Sequence, residues 1–213
     1  MSLLPDPNVL FVFLVATVAL NLSPGPDMLY VISRSLEQGR RAGMVSALGI
    51  GAGTLVHTLV TAIGLSAILL SIPVAFEAIR YAGAAYLGYL GIRMLLASRT
   101  EKDTAPSSHP ELHTPLTNIF RQGVLTNVLN PKVALFFIAF LPQFVDSSKG
   151  AIALQIALLG LIFDTSGTSW NILIAAIAGH ASGALRRRSG FSFVQKRLPG
   201  IILLALAILV VVR

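Results

Sequence analysis

Four ionisable residues lie inside long apolar stretches of this 213-residue chain: Asp27, His57, Lys132 and Asp164. A charged side chain at the centre of a bilayer costs about 2.5–3.5 kcal/mol on insertion scales and is a functional candidate by default. Carboxylates and basic groups at that depth can bind a charged solute or carry a proton. The sequence therefore indicates ion-pairing or proton-transfer chemistry within a membrane.

Two proline motifs interrupt these apolar stretches, at residues 21–27 (NLSPGPD) and 127–132 (NVLNPK). Proline removes a backbone donor and clashes with the preceding turn, so a helix is predicted to break at each motif. Lipid cannot satisfy the freed backbone groups, so such breaks must be covered by protein or face a watery cavity. Paired interruptions in the two halves of one chain indicate the substrate site of a secondary transporter.

Each motif carries residues that suit a small zwitterion. The half-helix that resumes after Pro26 presents free N–H groups and a partial positive end, which we expect to hold a substrate carboxylate. Asp27 would then meet the substrate ammonium, or it only caps the resumed helix. Lys132 either supplies a cation for the carboxylate or snorkels to an interface. The predicted substrate-binding residues are Asn21, Pro24, Gly25, Pro26, Asp27, Asn127, Asn130, Pro131 and Lys132.

Asp164 and His57 are the candidates for proton coupling. Asp164 lies deep within an apolar segment, where a buried carboxyl can release its proton when a cation arrives. The alternative is a carboxyl permanently hydrogen-bonded to Thr165 or Thr168 of its own helix. His57 suits a proton relay or a charge partner for Asp164, and the alternative is a neutral histidine bonded to a carbonyl.

Composition places these residues in an integral membrane protein. The chain is 54% hydrophobic and 12% charged, with a mean hydropathy of +0.78, whereas soluble domains carry about 25% charged residues. Cysteine is absent, which excludes disulfides, thiol catalysis and iron–sulfur clusters, and we expect no cofactor or metal. The N-terminus has no basic region and carries Asp6, so it does not read as a cleavable signal peptide.

An all-α fold with six transmembrane helices is predicted, because each crossing needs about 20 apolar residues. The spans are Val9–Ser33, Ala42–Ile72, Phe76–Ala97, Phe120–Phe144, Ala151–Leu185 and Phe193–Val212. Residues 1–213 form one transporter domain, in which a cytoplasmic linker (98–117) separates a first half (1–97) from a second half (118–213). The first and fourth helices are the ones broken at prolines.

The distribution of basic residues sets the predicted orientation. The odd-numbered connections and their flanks hold Arg34, Arg40, Arg41, Arg93, Arg99, Lys102, Arg121, Arg186, Arg187, Arg188, Lys196 and Arg197, whereas the opposite side holds Arg80, Lys149 and Arg213. This asymmetry places the odd loops in the cytoplasm and both termini outside. It also accounts for the net charge of +7 without nucleic-acid binding.

The two halves show traces of an internal repeat. An offset of 107 residues aligns Pro24 with Pro131, Gly43 with Gly150, Gly53 with Gly160, and His57 with Asp164. Two copies of three helices have opposite orientations, which places a site at the repeat interface near the midplane. The alternative is ordinary use of proline in transmembrane helices.

Five segments together resemble the lysine-exporter (LysE) superfamily, and most closely its homoserine/threonine (RhtB-type) efflux branch. They are residues 21–30 (NLSPGPDMLY), 41–43 (RAG), 81–91 (YAGAAYLGYLG), 127–132 (NVLNPK) and 140–144 (FLPQF). The resemblance covers nearly the whole chain in the expected order. It implies a multi-pass bacterial inner-membrane protein that exports amino acids such as homoserine, threonine, lysine or related derivatives, driven by proton antiport.

Two other classes of function fit the sequence less well. An intramembrane hydrolase could pair Ser166 with His180, but fourteen residues along one helix separate them by about 21 Å, beyond hydrogen-bond reach. A non-transporting membrane adaptor would not need Asp164 or two broken helices. The expected partners are an amino-acid substrate, the lipid bilayer and the proton, and the GxxxG match at Gly49–Gly53 is compatible with a homodimer.

Overall fold

The computed structural model describes residues 5–71 and 114–180, together with isolated positions at 81, 85, 88, 89, 92, 201, 204 and 208. Regular structure within the two ranges is helical. It comprises α1 (Pro7–Leu22), α2 (Pro26–Ser71), α3 (Leu116–Val128), α4 (Pro131–Leu135), a π-helix (Phe136–Phe140), two 3-10 helices (Leu141–Phe144 and Ser147–Lys149) and α5 (Ile152–His180). The predicted helices Phe76–Ala97 and Phe193–Val212, and most of the linker, lie outside the described residues.

Both proline motifs break their helices, as the sequence predicts. α1 ends at Leu22, Ser23 is extended with φ −66° and ψ 122°, and α2 begins at Pro26. α3 ends at Val128, and the helical segment that resumes at Pro131 is bent from it by 48°. Neither break contains a cis peptide bond.

α2 is two helical arms joined by a sharp turn at Gly39, whose φ of 81° and ψ of 179° are non-helical. A positive φ of this kind favours glycine because it lacks a Cβ. Residues 26–38 form the first arm, which continues the broken first span, and residues 40–71 form the second arm. The predicted end of the first span at Ser33 was therefore wrong, since the helix continues to the glycine.

An aromatic cluster fills the space between α1, the π-helix and α5. Phe136 stacks on Phe163 with ring centroids 4.4 Å apart, and Phe13 meets Phe144 edge-on at 5.2 Å. The Leu141 N–H reaches back five residues to the Phe136 carbonyl, which defines the π-turn. Such a turn rotates the following side chains relative to an α-helix, and Phe136, Phe137 and Phe140 are all buried.

Glycines bring the second arm of α2 against α3. A Cβ added at Gly49 would collide with the backbone carbonyl oxygen of Phe120, and one at Gly123 would lie 2.9 Å from the Ser46 carbonyl oxygen. A Cβ at Gly53 would lie 2.7 Å from Cβ of Asn127. The Gly49–Gly53 pair therefore serves packing within the chain, and the homodimer stays a prediction.

The described ranges contain two helices that are long and apolar enough to cross a membrane, Pro26–Gly64 and Ile152–Gly179. Leu116–Val128 and Pro131–Phe144 qualify together as one bent span. The fold is thus that of a helical membrane protein.

We predict that Gly49→Ala destabilises the protein by about 1–3 kcal/mol, because the new methyl group overpacks against a backbone oxygen that cannot rotate away. Thermal unfolding in detergent, followed by the fluorescence of the single tryptophan, Trp170, measures the effect. Gly64→Ala is the matched control, since no described atom lies within 4 Å of its added Cβ and alanine favours helix. Equal melting temperatures for the two variants would contradict the glycine contact.

Candidate functional site

The site begins with two backbone carbonyls that the prolines leave without their helical partners. In an α-helix the carbonyl of residue i accepts from the N–H of residue i+4. For Leu20 and Asn127 that residue is a proline, Pro24 and Pro131, which has no N–H. The next-nearest amides close tighter turns instead, at 3.2 Å from Ser23 N to Leu20 O and 2.9 Å from Asn130 N to Asn127 O. All these residues correspond under the 107-residue offset.

Lys132 donates to the first break from the second half of the chain. Its Nζ lies 3.0 Å from the Leu20 carbonyl oxygen and 2.8 Å from that of Ser23. A Cβ added at Gly25 would lie 3.3 Å from this Nζ, so the glycine leaves room for the ammonium. A cation is favourable at the C-terminal end of a helix dipole such as α1. Lys132 thus points into the protein, and the snorkelling alternative is wrong.

His57 contacts the second break from the first half of the chain. Its Nε2 lies 3.1 Å from the Asn127 carbonyl oxygen, and its ring stacks on Phe137 at 5.8 Å with an interplanar angle of 25°. A carbonyl can only accept, so Nε2 carries the proton. In the part of the chain that the structure describes, His57 has no hydrogen bond or ion pair with Asp164. This matches the alternative of a histidine bonded to a carbonyl.

Asp27 and Asn127 join the two breaks directly. The Asn127 side chain is 1% exposed, and its Nδ2 donates to Oδ2 of Asp27 at 2.8 Å. Among the residues that the structure describes, Oδ1 of Asp27 is buried and has no hydrogen-bond partner. Most buried polar atoms have a partner, so an orphaned carboxylate oxygen calls for an explanation.

Asn130 has a mainly structural position. Its Oδ1 accepts from the Lys132 N–H at 3.0 Å and so caps α4, which begins at Pro131. Its Nδ2 is buried without a partner. The two asparagines of the second motif thus have different roles: Asn130 caps the resumed helix, and Asn127 contacts Asp27.

Residues of α5 pack beside the first break. Asn21 donates from Nδ2 to Oγ of Ser166 at 2.9 Å, and Gly167 gives it room, since an added Cβ would lie 3.0 Å from Asn21 Oδ1. Asp164 accepts from Oγ1 of Thr168 at 3.0 Å, one of the contacts expected if its carboxyl is bonded within its own helix.

These groups surround one small cavity. Among the predicted site residues, it is lined by Asn21, Gly25, Asp27, Asn127, Lys132 and Asp164, and not by Pro24, Pro26, His57, Asn130 or Pro131. Its volume of about 30 Å³ is room for one or two water molecules. An amino acid would not fit, so a solute of that size requires the walls to separate.

The sequence analysis missed several of the residues that line the cavity: Leu20, Ser23, Met28, Ile50, Thr54, Val133, Phe163, Gly167, Thr168 and Asn171. Helical spacing offered a signal for some of them. Thr168 and Asn171 follow Asp164 by four and seven residues, and Thr54 follows Ile50 by four, so each set lies on one helix face.

The arrangement offers a carboxylate oxygen without a partner, a buried ammonium and apolar walls in one place. A carboxylate binds cations, an ammonium binds anions, and apolar side chains accept a hydrocarbon group. Together they complement a small zwitterion with an apolar side chain.

Comparison with known proteins identifies related chains. The family model of the LysE type translocator matches residues 18–213. The uncharacterized membrane protein YrhP of Bacillus subtilis is 32% identical over 192 residues, which cover 87% of this chain and 90% of that protein. A leucine efflux protein of Salmonella typhimurium is 34% identical over 134 residues, covering 63% of this chain and 62% of that protein.

A leucine efflux protein of Klebsiella pneumoniae is 25% identical over 195 residues, which cover 92% of this chain and 91% of that protein. No solved structure matches this chain. The resemblance to the lysine-exporter superfamily is therefore confirmed.

We predict that Lys132→Met lowers the free energy of unfolding by about 1–3 kcal/mol, because the Leu20 and Ser23 carbonyl oxygens each lose the bond from the ammonium. Lys149→Met is the matched control, since the Lys149 side chain forms ion pairs with Asp6 at 3.2 Å and Asp146 at 3.7 Å. Such surface pairs contribute about 0–1 kcal/mol. Thermal unfolding in detergent compares the two, and a smaller loss for Lys132→Met than for Lys149→Met would overturn this account of Lys132.

Proposed function

This chain belongs to the LysE type translocator family, and we propose that it exports a neutral amino acid with an aliphatic side chain in exchange for protons. Members of this family are transporters, so the intramembrane hydrolase is excluded as an alternative. A non-transporting adaptor is disfavoured for the same reason. A bacterial membrane location is supported by the apolar helices and by YrhP, which is described as a membrane protein.

The observation that carries the proposal is the unpartnered oxygen of Asp27 in the cavity that Lys132 also lines. Both side chains lie in the described part of the chain, and there the Lys132 ammonium and the Asp27 carboxylate form no ion pair within 4.0 Å. An anionic and a cationic group that stand apart in one cavity can each take the opposite charge of a zwitterion. In this proposal the substrate ammonium binds Oδ1 of Asp27, and the carboxylate approaches Lys132.

The first turn of α2 supports the same orientation of the substrate. The Leu29 N–H donates to the Gly25 carbonyl at 3.0 Å, so the N–H groups of Asp27 and Met28 precede the first intrahelical bond. Such amides attract an anion at the N-terminus of a helix. They follow Gly25, whose added Cβ would lie 3.3 Å from Lys132 Nζ, and in this proposal they share the substrate carboxylate with Lys132.

The apolar part of the cavity favours an aliphatic side chain. Its apolar lining residues are Leu20, Met28, Ile50, Val133 and Phe163. Two of the relatives described above are leucine efflux proteins, which fits a cargo of this kind. We therefore propose leucine and similar amino acids ahead of homoserine, threonine or lysine.

The small cavity corresponds to a closed stage of an alternating-access cycle in this proposal. On the side of the first arm of α2, the Tyr30 hydroxyl donates to the Ile119 carbonyl at 2.8 Å, and Arg34 donates to Gln122 at 2.8 Å. These bonds join the two halves between the cavity and the Gly39 turn. With the predicted orientation, odd loops inside and both termini outside, this is the cytoplasmic side.

Asp164 is the proton carrier in this proposal. It lines the same cavity as Asp27, so a substrate ammonium and a proton would compete within one space. Competition of that kind produces exchange, because binding of one cation favours release of the other. The bond from Thr168 is compatible with either protonation state, since a hydroxyl both donates and accepts.

We predict that Asp27→Asn abolishes substrate transport while the protein still folds, because the amide keeps the shape but loses the charge that meets the ammonium. Uptake of labelled leucine into inside-out vesicles with an acidic lumen measures export activity. Asp6→Asn is the control, as its carboxylate is 79% exposed at the far end of α1. Unchanged uptake by Asp27→Asn would refute the ammonium site, and no uptake by the wild type would refute the proposed export of leucine.

We predict that Asp164→Asn uncouples transport from the proton gradient. The variant should exchange labelled for unlabelled leucine across the vesicle membrane but should no longer accumulate leucine in response to an acidic lumen, because no group is left to carry the proton. Thr168→Val is the control for loss of the hydrogen bond alone. Accumulation by Asp164→Asn at the wild-type level would show that another group couples the proton.

A further inference from the structure

We propose that His57 is a positioning residue for the ammonium site, acting through Asn127 on Asp27. The inference rests on the proposed function, and it assigns His57 a role apart from Asp164. His57 does not line the cavity, and it acts from the far side of Asn127.

Two hydrogen bonds, one to the backbone and one from the side chain of Asn127, carry this action through that residue. His57 Nε2–H donates to the Asn127 carbonyl, and the Asn127 amide Nδ2 donates to Oδ2 of Asp27. Thr54 adds a longer bond of 3.4 Å from its Oγ1 to Oδ1 of Asn127. The bond from Asn127 reaches the carboxylate whose other oxygen, Oδ1, is buried without a partner.

The position of Asn127 explains why an added donor matters there. α3 ends one residue later, at Val128, and Pro131 withholds the N–H that would otherwise hold the Asn127 carbonyl. Asn130 N donates to this carbonyl through a tighter turn. The end of the helix that carries Asn127 is therefore held in part by His57, a side chain of the other half.

The histidine is itself fixed, so it can fix its neighbour. Its ring stacks on Phe137, which is fully buried. Gly53, one turn before His57, lies so close to Asn127 that an added Cβ would be 2.7 Å from the Asn127 Cβ. His57 on one side and the close contact with Gly53 on the other fix the position of Asn127. The direction of the Asn127 amide then sets the orientation of the Asp27 carboxylate.

The first break has the same arrangement, so the bond from His57 at the second break is one of two corresponding bonds. Lys132, a basic side chain of the second half, donates to the Leu20 carbonyl freed by Pro24. His57, a basic side chain of the first half, donates to the Asn127 carbonyl freed by Pro131. At the second break, the residue whose carbonyl accepts from His57 is Asn127, and its side chain also bonds the Asp27 carboxylate. The donor at this break therefore also positions a group of the proposed ammonium site.

The test compares His57→Leu, which has no donor, with His57→Gln, whose amide N–H can reach the same carbonyl. Leucine uptake into inside-out vesicles gives KM and maximal rate for each, normalised to the amount of transporter in the membrane. Loss of one such hydrogen bond predicts a KM about three- to tenfold higher for His57→Leu, with a smaller change in maximal rate. His57→Gln should return most of the wild-type KM.

A double-mutant cycle with Asn127→Ala identifies the route. This variant keeps the backbone carbonyl but removes the amide that reaches Asp27, so adding His57→Leu to it should raise KM no further. Thr126→Val is the matched control on the same helix, because its hydroxyl bonds only the Gln122 carbonyl of its own helix at 2.7 Å, and its KM should equal that of the wild type.

Three results would overturn the proposal. They are an unchanged KM in His57→Leu, equal losses in His57→Leu and His57→Gln, and effects of His57→Leu and Asn127→Ala that multiply in the double variant. An active wild type with any of these results leaves the exporter function intact. A wild type that carries no leucine refutes the proposed function and this inference with it.

Discussion

The structure depends on one constraint, the absence of an N–H at Pro24 and Pro131 within helices at membrane depth. An unsatisfied backbone group in lipid costs several kcal/mol, so each freed carbonyl must find a donor in the protein. Local turns supply one donor each, from Ser23 and Asn130. The additional donor at each break comes from the other half of the chain, and this requirement brings the two breaks together.

The bonds across the breaks explain why the charged groups share a cavity. Lys132 contacts the first break and Asp27 contacts Asn127 beside the second, so each half places a charged group at the other's interruption. The resulting contacts are short and buried, and the space left between them is small. Opening the cavity must replace these bonds, and the charged ends of an amino acid are groups that could replace them.

The sequence was sufficient to predict the two breaks, because proline chemistry is local, and to assign Asp27 and Lys132 to one site. It paired Asp164 with His57, whereas in the structure Asp164 lines the cavity and His57 does not. It did not predict which carbonyls Lys132 and His57 contact, since those partners are more than 60 residues away along the chain and depend on tertiary packing. The π-turn at Phe136 and the exact turn at Gly39 were also beyond it. The 107-residue offset matched equivalent structure at the two breaks. It did not at Gly43 and Gly150, because Gly43 packs closely against Ser35 whereas Gly150 adopts a φ of 68° in a turn.

The two sides of the breaks hold the helices through different kinds of contact. On one side, Phe13, Phe136 and Phe163 interlock around α1, the π-helix and α5, and a close-packed aromatic core resists sliding because displaced rings leave voids. On the other side, α2 and α3 meet through Gly49 and Gly123, which present no side chains to interlock. A second apolar cluster around Ala47 also lies on that side, so separation there breaks buried apolar contact as well as the hydrogen bonds that join the two halves. One side of the breaks is thus held by stacked aromatic rings, and the other by close backbone contact together with hydrogen bonds.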